Sequence, residues 1–298
     1  MKYLVTGGAG FIGSHIVDSL VEHDHHVVVI DNESAENHDF FYWNDKAENH
    51  KVDICDHEKI QSLFDGVDTV FHCAAEARMQ PAIFNPLLAI KTNTLGTCSV
   101  LQAARENKVR RFVYSSTSSA YGHNDVPNIE TQSDNCLNPY SVSKVSGEKL
   151  CKMYYDLFGL ETVILRYFNA YGDRQPTKGQ YATVVGKFLS QKQRGEPLTI
   201  VPDGSQKRDY THVSDIVGAN ILSSTVKMKN YGEVFNVGSG KNISVNELAK
   251  LISDNKILIE PRIGESKLTL ANVSKIKTIM GWSPKVSLSD WISNKLNA

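Results

Sequence analysis

The amino-acid sequence predicts an α/β fold with a doubly wound parallel sheet, joined to a smaller α/β portion that is rich in C-terminal residues. Short β-branched or apolar segments alternate with stretches of helical periodicity as far as residue 165. These segments are apolar on both faces, as expected of parallel strands covered by helices on both sides. A glycine-rich sequence follows the first segment, where a strand would give way to a helix.

The predicted elements follow one another as successive β-α-β units. The predicted strands comprise residues 3–6, 27–30, 51–54, 69–72, 111–115 and 162–165. Pro86 precedes a long predicted helix that ends near residue 107, and Asn138-Pro139 introduces another that ends near residue 158. Beyond Tyr171, glycine and proline interrupt the chain, and shorter helices are predicted near residues 182–191, 213–225 and 245–252.

The composition is that of an ordinary globular protein. The 298 residues are 41% hydrophobic and 22% charged, with a formal net charge of −1. Lys and Arg are dispersed among similar numbers of Asp and Glu, which argues against a nucleic-acid-binding protein. We expect no membrane span, because no apolar run approaches 18 residues, and no signal peptide. Five cysteines without a CxxC pair favour the reducing cytoplasm.

The glycine-rich sequence is typical of a dinucleotide-binding turn in a Rossmann-type fold. The segment from Gly7 to Gly13 places glycines at positions 7, 10 and 13 and includes Phe11 and Ile12. Gly7 permits a tight turn, Gly10 lets backbone N–H groups approach a pyrophosphate, and Gly13 lets the helix pack closely on the strand. A β-α turn that merely needs positive φ would require none of the acidic residues found downstream.

Asp31 ends the second predicted strand, 18 residues after Gly13, where a carboxylate can accept hydrogen bonds from ribose hydroxyls. It would repel a 2′-phosphate, and no Arg or Lys lies between Asn32 and Asp45, so NAD is favoured over NADP. Asn32 joins the predicted cofactor site. Asp53 and Ile54 are candidate adenine contacts, although an Asp that leads into a helix is the alternative for Asp53. The metal prediction is none, since His23 to His26 resembles a solvated turn.

Tyr140 and Lys144 are four residues apart on a predicted helix, so they share one face. A phenol is a poor base at neutral pH, but a neighbouring Lys and the positive nicotinamide ring both favour the phenolate. Tyr140 could then remove a hydroxyl proton while a hydride leaves the same carbon for NAD.

The order of the predicted elements and motifs also predicts how the chain is divided. We predict an NAD-binding domain at residues 1–170, to which segments near 205–240 return, and a mainly substrate-binding domain at residues 171–298.

With these motifs the sequence resembles the extended short-chain dehydrogenase/reductase family, specifically its nucleotide-sugar epimerases and dehydratases. The resemblance rests on TGGAGFIGS, VDICD, HCAAEA, SSTSSAYG, YSVSK, LRYFNAYG, QKRDYTHVSD and PRIGES, and it covers nearly the whole chain. It implies that Ala74, Ala75, Asn93 and Tyr167 contact NAD and that Lys144 also holds the nicotinamide ribose. It further implies a homodimer formed through the helix after Pro86 and the Tyr140 helix.

The residues around Thr117 distinguish the reactions of this family. Thr117 aligns with the catalytic Ser/Thr, whose hydroxyl would bond the sugar oxygen that is oxidised. Similar 4,6-dehydratases carry Asp-Glu at the next two positions, and similar UDP-glucuronate decarboxylases carry Glu at the second, whereas this chain has Ser118 and Ser119. The resemblance therefore favours 4-epimerisation of a UDP-hexose or an N-acetylated equivalent. A decarboxylase or another nucleotide-sugar enzyme, and a non-catalytic dinucleotide sensor, are the alternatives.

The resemblance also implies a set of residues that hold the nucleotide sugar. Asn169 matches the family position that contacts the diphosphate. Arg208 and Arg262 match the two arginines that clamp the diphosphate and the nucleotide. Glu265 stands where relatives usually carry an Asp that contacts the ribose of uridine, which leaves the nucleotide base open. A surface ion pair is the alternative interpretation of each Arg.

Overall fold

A parallel sheet forms the centre of the computed structural model, which describes residues 1–35, 40–179, 182–260 and 263–297. Within this part of the chain the sheet has seven strands in the order β11-β6-β5-β4-β1-β2-β3. They are β1 (Lys2–Thr6), β2 (His26–Asp31), β3 (Glu48–Lys51), β4 (Thr69–His72), β5 (Arg111–Thr117), β6 (Glu161–Tyr167) and β11 (Glu233–Val237). All six pairings between them are parallel, which confirms the doubly wound Rossmann-type fold.

Three two-stranded sheets belong to the remaining, mainly C-terminal part. They pair β7 (Ala170–Tyr171) with β10 (Thr211–His212), β8 (Leu198–Ile200) with β13 (Lys256–Leu258), and β9 (Lys207–Asp209) with β12 (Asn242–Ser244).

The helices alternate with the strands of the central sheet and continue beyond it. They are α1 (Phe11–Glu22), α2 (His57–Ile60), α3 (Met79–Phe84), α4 (Pro86–Ile90), α5 (Thr97–Glu106), α6 (Pro139–Phe158), α7 (Val184–Gln193), α8 (Val213–Thr225), α9 (Val245–Lys250), α10 (Ser274–Met280) and α11 (Leu288–Asn297). A π-helical segment, Lys91–Gly96, joins α4 to α5, so the helix predicted after Pro86 is continuous but locally widened. No helix in the described ranges is long and apolar enough to cross a membrane.

The prediction of the third strand was wrong by three residues. The strand is Glu48–Lys51, not residues 51–54, and it carries polar side chains at the edge of the sheet. An edge strand pairs on one side only and exposes its side chains, so it lacks the apolar signature on which the prediction relied. Val52 and Ile54 come after the strand and line the cavity described below.

Two apolar clusters fill the space between the sheet and its helices, one on each face. Strand β11, which the sequence did not predict, extends the sheet beside β6, and α8 packs against α1. A third cluster lies under α7, α9 and α11 and forms a separate small core. The exact division of the chain near residue 170 stays a prediction.

Candidate active site

A cavity of about 300 Å³ opens where the carboxyl ends of the central strands meet the loops that follow them. This is the edge at which ligands bind in open α/β sheets. The structure brings together on its wall most of the residues predicted to bind cofactor or substrate. They are Gly7, Gly10, Phe11, Ile12, Gly13, Asp31, Asn32, Ile54, Ala74, Ala75, Thr117, Tyr140, Lys144, Tyr167 and Asn169.

The glycine turn leaves no room for side chains at two of its positions. A Cβ on Gly7, whose φ is +66°, would lie 2.6 Å from the backbone nitrogen of Ala74. A Cβ on Gly13 would lie 2.1 Å from the carbonyl oxygen of Gly7. Gly10 precedes α1 and has no side chain to cap the first turn of that helix. The turn therefore presents the positive end of α1 to the cavity, as a pyrophosphate requires.

Asp31 lies at the end of β2 and is held by backbone donors. Its carboxylate accepts hydrogen bonds from the backbone N–H groups of Ala9 at 3.1 Å and Glu33 at 2.8 Å. Burial raises its pKa above the ordinary value, although these bonds oppose the rise. The carboxylate can accept hydrogen bonds from ribose hydroxyls. Asp31 and the glycine turn together therefore fit a dinucleotide.

Two predicted cofactor residues are not on the cavity wall. Asp53 accepts a hydrogen bond from the backbone N–H of Cys55 at 2.8 Å, in the turn before α2, whose N-cap is Asp56. Asn93 is fully buried, and its amide accepts from the Glu76 backbone N–H at 2.7 Å. It donates to the carbonyl of Glu76 at 3.0 Å and to the Ser143 hydroxyl at 2.9 Å. Asn93 thus ties the loop after β4 to α6.

Thr117 and Tyr140 meet at the end of β5 and the start of α6, where the Asn138 side chain caps the helix. Burial raises the pKa of Tyr140, whereas a hydrogen bond with the Thr117 side chain and the positive charge of Arg78 oppose the rise. The turn after Thr117 carries the hydroxyls of Ser118 and Ser119, and the backbone N–H of Ser119 donates to Thr117 Oγ1 at 3.1 Å.

Lys144 lies on the same helix as Tyr140, and its ammonium group lies near Tyr114 and His72. Its ammonium nitrogen is 4.3 Å from the centre of the Tyr114 ring, and its charge lowers the pKa of buried His72 in addition to the effect of burial. Burial lowers the pKa of Lys144 itself to about 8. The charge of Arg78 opposes the rise in the pKa of Tyr140, and the expected effect of Lys144 on that pKa stays a prediction.

The residues predicted to hold the nucleotide diphosphate do not all lie on the cavity wall. Asn169 lines the cavity and donates to the carbonyl of Asp209 at 2.8 Å. Arg208 and Glu265 are not on the cavity wall and form an ion pair at 3.4 Å. Arg262 lies outside the described residues. The structure thus brings Asn169 to the cavity wall and joins Arg208 to Glu265.

Glu76 and Arg78 also line the cavity and were missed in the sequence. Glu76 lies within the HCAAEA segment and Arg78 directly follows it, so their position just after a central strand was the available signal. In the described part of the chain, no group of three or more His, Cys, Asp or Glu residues could hold a metal ion.

The profile of the NAD dependent epimerase/dehydratase family matches residues 3–238, which include the glycine turn, Thr117, Tyr140 and Lys144. This chain belongs to that family. NAD is accordingly its cofactor, and the cavity wall fits NAD in its glycine turn and in Asp31. The resemblance inferred from the motifs is confirmed.

Three similar proteins illustrate the range of the match. The UDP-glucose 4-epimerase of Thermotoga maritima, solved with UDP-glucose, is 36% identical with a TM-score of 0.93 over 100% of this chain and 98% of its own. The UDP-N-acetylglucosamine 4-epimerase of Methanobrevibacter ruminantium was solved with UDP-N-acetylmuramic acid. It is 33% identical with a TM-score of 0.91, and the match covers 99% of this chain and 97% of its own. A UDP-glucuronate 4-epimerase of Thermodesulfobacterium geofontis is 30% identical over 99% of this chain and 95% of its own.

Proposed function

We propose that this protein epimerises a UDP-hexose, or its N-acetylated equivalent, at carbon 4 through a transient 4-keto sugar. The observation that carries the proposal is the convergence of Thr117, Tyr140 and Lys144 on one cavity wall, next to the glycine turn. The two residues after Thr117 are Ser118 and Ser119, so the carboxylates that serve elimination in similar dehydratases are replaced by hydroxyls at these positions.

Tyr140 acts as the base in this reaction. When bound, NAD supplies reversible hydride acceptance at carbon 4. The phenolate of Tyr140 would take the proton of the 4-hydroxyl as carbon 4 is oxidised, and would return that proton to the 4-oxygen as carbon 4 is reduced on its other face. Thr117, which lies on the same cavity wall as Tyr140, would hold the reacting oxygen. Lys144 is expected to hold the nicotinamide ribose.

The nucleotide diphosphate would lie between the cavity and the Arg208–Glu265 pair. Asn169 is expected to contact the diphosphate, with Arg208 and Arg262 as its cations. Arg208 pairs with Glu265 at 3.4 Å, a long contact for a charged pair, and both side chains are mostly buried. A ribose bound by Glu265 would share this carboxylate with Arg208.

The test is nuclear magnetic resonance of purified protein with UDP-galactose, UDP-N-acetylgalactosamine and UDP-glucuronate, each in a separate incubation. Conversion of at least one to its carbon-4 epimer is expected. The Tyr140→Phe variant removes only the hydroxyl and should abolish conversion while NAD stays bound. Carbon dioxide release from UDP-glucuronate would instead identify a decarboxylase. NAD bound without conversion of any of the three would refute the UDP-hexose assignment.

We further propose that the protein is a homodimer. Helices α4 to α6 expose several large apolar side chains, namely Leu87, Leu88, Ile90, Leu95, Val142 and Leu157. Light scattering should give twice the chain mass. Leu87→Glu, at a leucine that is 82% exposed, should give the monomer, whereas Leu258→Glu, at a 65% exposed leucine on β13, should leave the dimer intact. A monomeric wild-type protein would contradict the proposal.

We also propose that the protein works in the cytoplasm. Its five cysteines all carry free thiols in the structure. Free thiols persist in a reducing compartment, where disulfides are rare. Fractionation of cells that express the chain at natural level, with enzymatic markers for each compartment, tests this location, and recovery outside the cytoplasm would contradict it.

A further inference from the structure

Residues 40–44, here called the strap, follow β2 and border the cavity at the end of that strand. Phe41 lines the cavity wall together with Asp31. The next residue, Tyr42, donates its backbone N–H to the carbonyl of Ala9 at 2.8 Å. Ala9 belongs to the glycine turn, and its own N–H donates to the Asp31 carboxylate. The strap is therefore bonded to the same turn and acidic residue that fit NAD.

Two side chains fix the other end of the strap. Trp43 donates its indole N–H to Glu33 at 2.8 Å. Asn44 donates from its side-chain amide to Oδ1 of Asp18, on α1, at 2.7 Å. Single hydrogen bonds between partly exposed groups contribute little net stability, so these two bonds alone would hold the strap only weakly.

Asp18 has a second partner, which comes from a distant part of the chain. Its Oδ2 forms an ion pair with Nη2 of Arg174 at 2.6 Å. The guanidinium carbon of Arg174 also lies 4.9 Å from the centre of the Tyr42 ring, within the range of a cation–π interaction. Arg174 thus contacts the strap directly through Tyr42 and, through Asp18, shares a carboxylate with Asn44.

The segment that carries Arg174 is itself anchored. It follows β7, and Pro176, two residues further on, lines the cavity. His15 on α1 donates to the carbonyl of Asp173 at 2.9 Å, and the Asp173 carboxylate pairs with Lys295 on α11 at 2.6 Å. Arg174 has a φ of +63°, a left-handed conformation that is uncommon outside glycine. These contacts make Arg174 a fixed point against which the strap is held.

We propose that Asp18 and Arg174 hold the strap against the NAD site and so set the rate at which NAD leaves the protein. A strap that borders the cavity must move when that wall opens, and the movement would break the contacts of Arg174 with Asp18 and Tyr42. Slow release suits a reaction in which the cofactor ends each turnover unchanged. The inference concerns NAD alone and does not depend on which sugar is converted.

The direct test is the release of bound NAD in the absence of any sugar. Protein loaded with radiolabelled NAD is mixed with a large excess of unlabelled NAD, and the label that stays on the protein is followed by rapid filtration. Arg174→Met removes the ion pair and the cation–π interaction together, so it should raise the dissociation rate about tenfold. Arg174→Lys keeps the charge but loses the planar guanidinium, so its rate should fall between the two.

Asp18→Asn tests the ion pair by itself. It removes the charge but keeps an oxygen that can accept from Asn44, and it leaves Arg174 beside the Tyr42 ring. Its rate should therefore rise by a smaller factor than that of Arg174→Met. Because both changes break the same ion pair, the double variant should release NAD no faster than Arg174→Met alone. Factors that multiply in the double variant would contradict a shared contact and overturn the inference.

Hydrogen exchange followed by mass spectrometry gives a second readout on the strap itself. In the NAD-loaded protein, residues 40–44 should exchange faster in Arg174→Met than in wild type, because the strap opens more often. Arg194→Met is the matched control, since this exposed arginine pairs with Glu196 at the end of α7. It should leave both the NAD dissociation rate and the exchange of the strap unchanged. Circular dichroism establishes that each variant is folded.

Equal dissociation rates in wild type and Arg174→Met would overturn the inference, as would an equal rise in Arg194→Met. Faster release in Arg174→Met, from a protein that converts no UDP-hexose, would refute the proposed function alone. Conversion of a UDP-hexose by wild type, with unaltered NAD release in Arg174→Met, would overturn this inference alone.

Discussion

Glu148 and Arg166 form a buried ion pair next to the cavity wall, and the loss of this pair should destabilise the protein. Both side chains are at most 3% exposed, and Arg166 donates two hydrogen bonds to the Glu148 carboxylate, at 2.8 and 2.6 Å. Burial alone would lower the pKa of Arg166, but the hydrogen bonds and charge of Glu148 have the larger effect and hold that pKa above its ordinary value. The pair therefore compensates for its own desolvation only while both partners are present.

Glu148→Ala should reduce the free energy of unfolding by about 3 kcal/mol, the lower end of the range for a broken buried pair. The lower end applies because Arg166 keeps a second ion pair with Asp134 at 2.7 Å. For a chain of this size, that loss corresponds to a fall in Tm of roughly 5 °C. Ser116, which donates to Glu148 next to Thr117, would also lose its acceptor.

Urea unfolding followed by tryptophan fluorescence measures this loss. The double variant Glu148→Met with Arg166→Met should be clearly more stable than the sum of the two single losses predicts, since it leaves no buried charge unpaired. A loss below about 1 kcal/mol in Glu148→Ala, or strictly additive losses in the double variant, would refute this reasoning.

Three further predictions concern the cofactor site. Gly13→Ala should bind NAD about tenfold more weakly or worse, because its Cβ would lie 2.1 Å from the Gly7 carbonyl oxygen; calorimetry measures this, with Gly218→Ala in α8 as control. Asp31→Ala should lose most of the preference for NAD over NADP in the same assay. Lys144→Met should abolish turnover yet stabilise the protein at pH 7 by roughly 3 kcal/mol, because burial lowers the pKa of Lys144 from 10.5 to about 8.

The sign of the Lys144 effect follows from proton binding. Between pH 8 and 10.5 the unfolded chain holds more protons on this residue than the folded chain, so the wild-type free energy of unfolding rises with pH across that window. The advantage of Lys144→Met should therefore shrink as the pH approaches 10.5. A constant difference would contradict it, as would wild-type NAD affinity in Gly13→Ala or unchanged cofactor preference in Asp31→Ala.

Much of the fold was predictable because its signals are local. The spacing of Gly7, Gly10 and Gly13 within one strand-to-helix turn, and of Tyr140 and Lys144 within one helical turn, is readable without tertiary structure. The position of strand β3 was predicted wrongly because Glu48–Lys51 is polar and lies at the edge of the sheet, whereas the prediction relied on strands that are buried on both faces. Strand β11 was not predicted because its place beside β6 depends on pairing between residues that are far apart in the chain.

The sequence by itself determined the dinucleotide turn, the acidic residue that ends β2 and the helical pair of phenol and ammonium, since each depends on contacts between near neighbours in the chain. Tertiary structure alone decided which charge acts on which group. It placed Arg78 on the same cavity wall as Tyr140, directed Lys144 toward the Tyr114 ring, and paired Arg208 with Glu265. Electrostatic interactions depend on distance and burial in space, and residue spacing along the chain does not specify either.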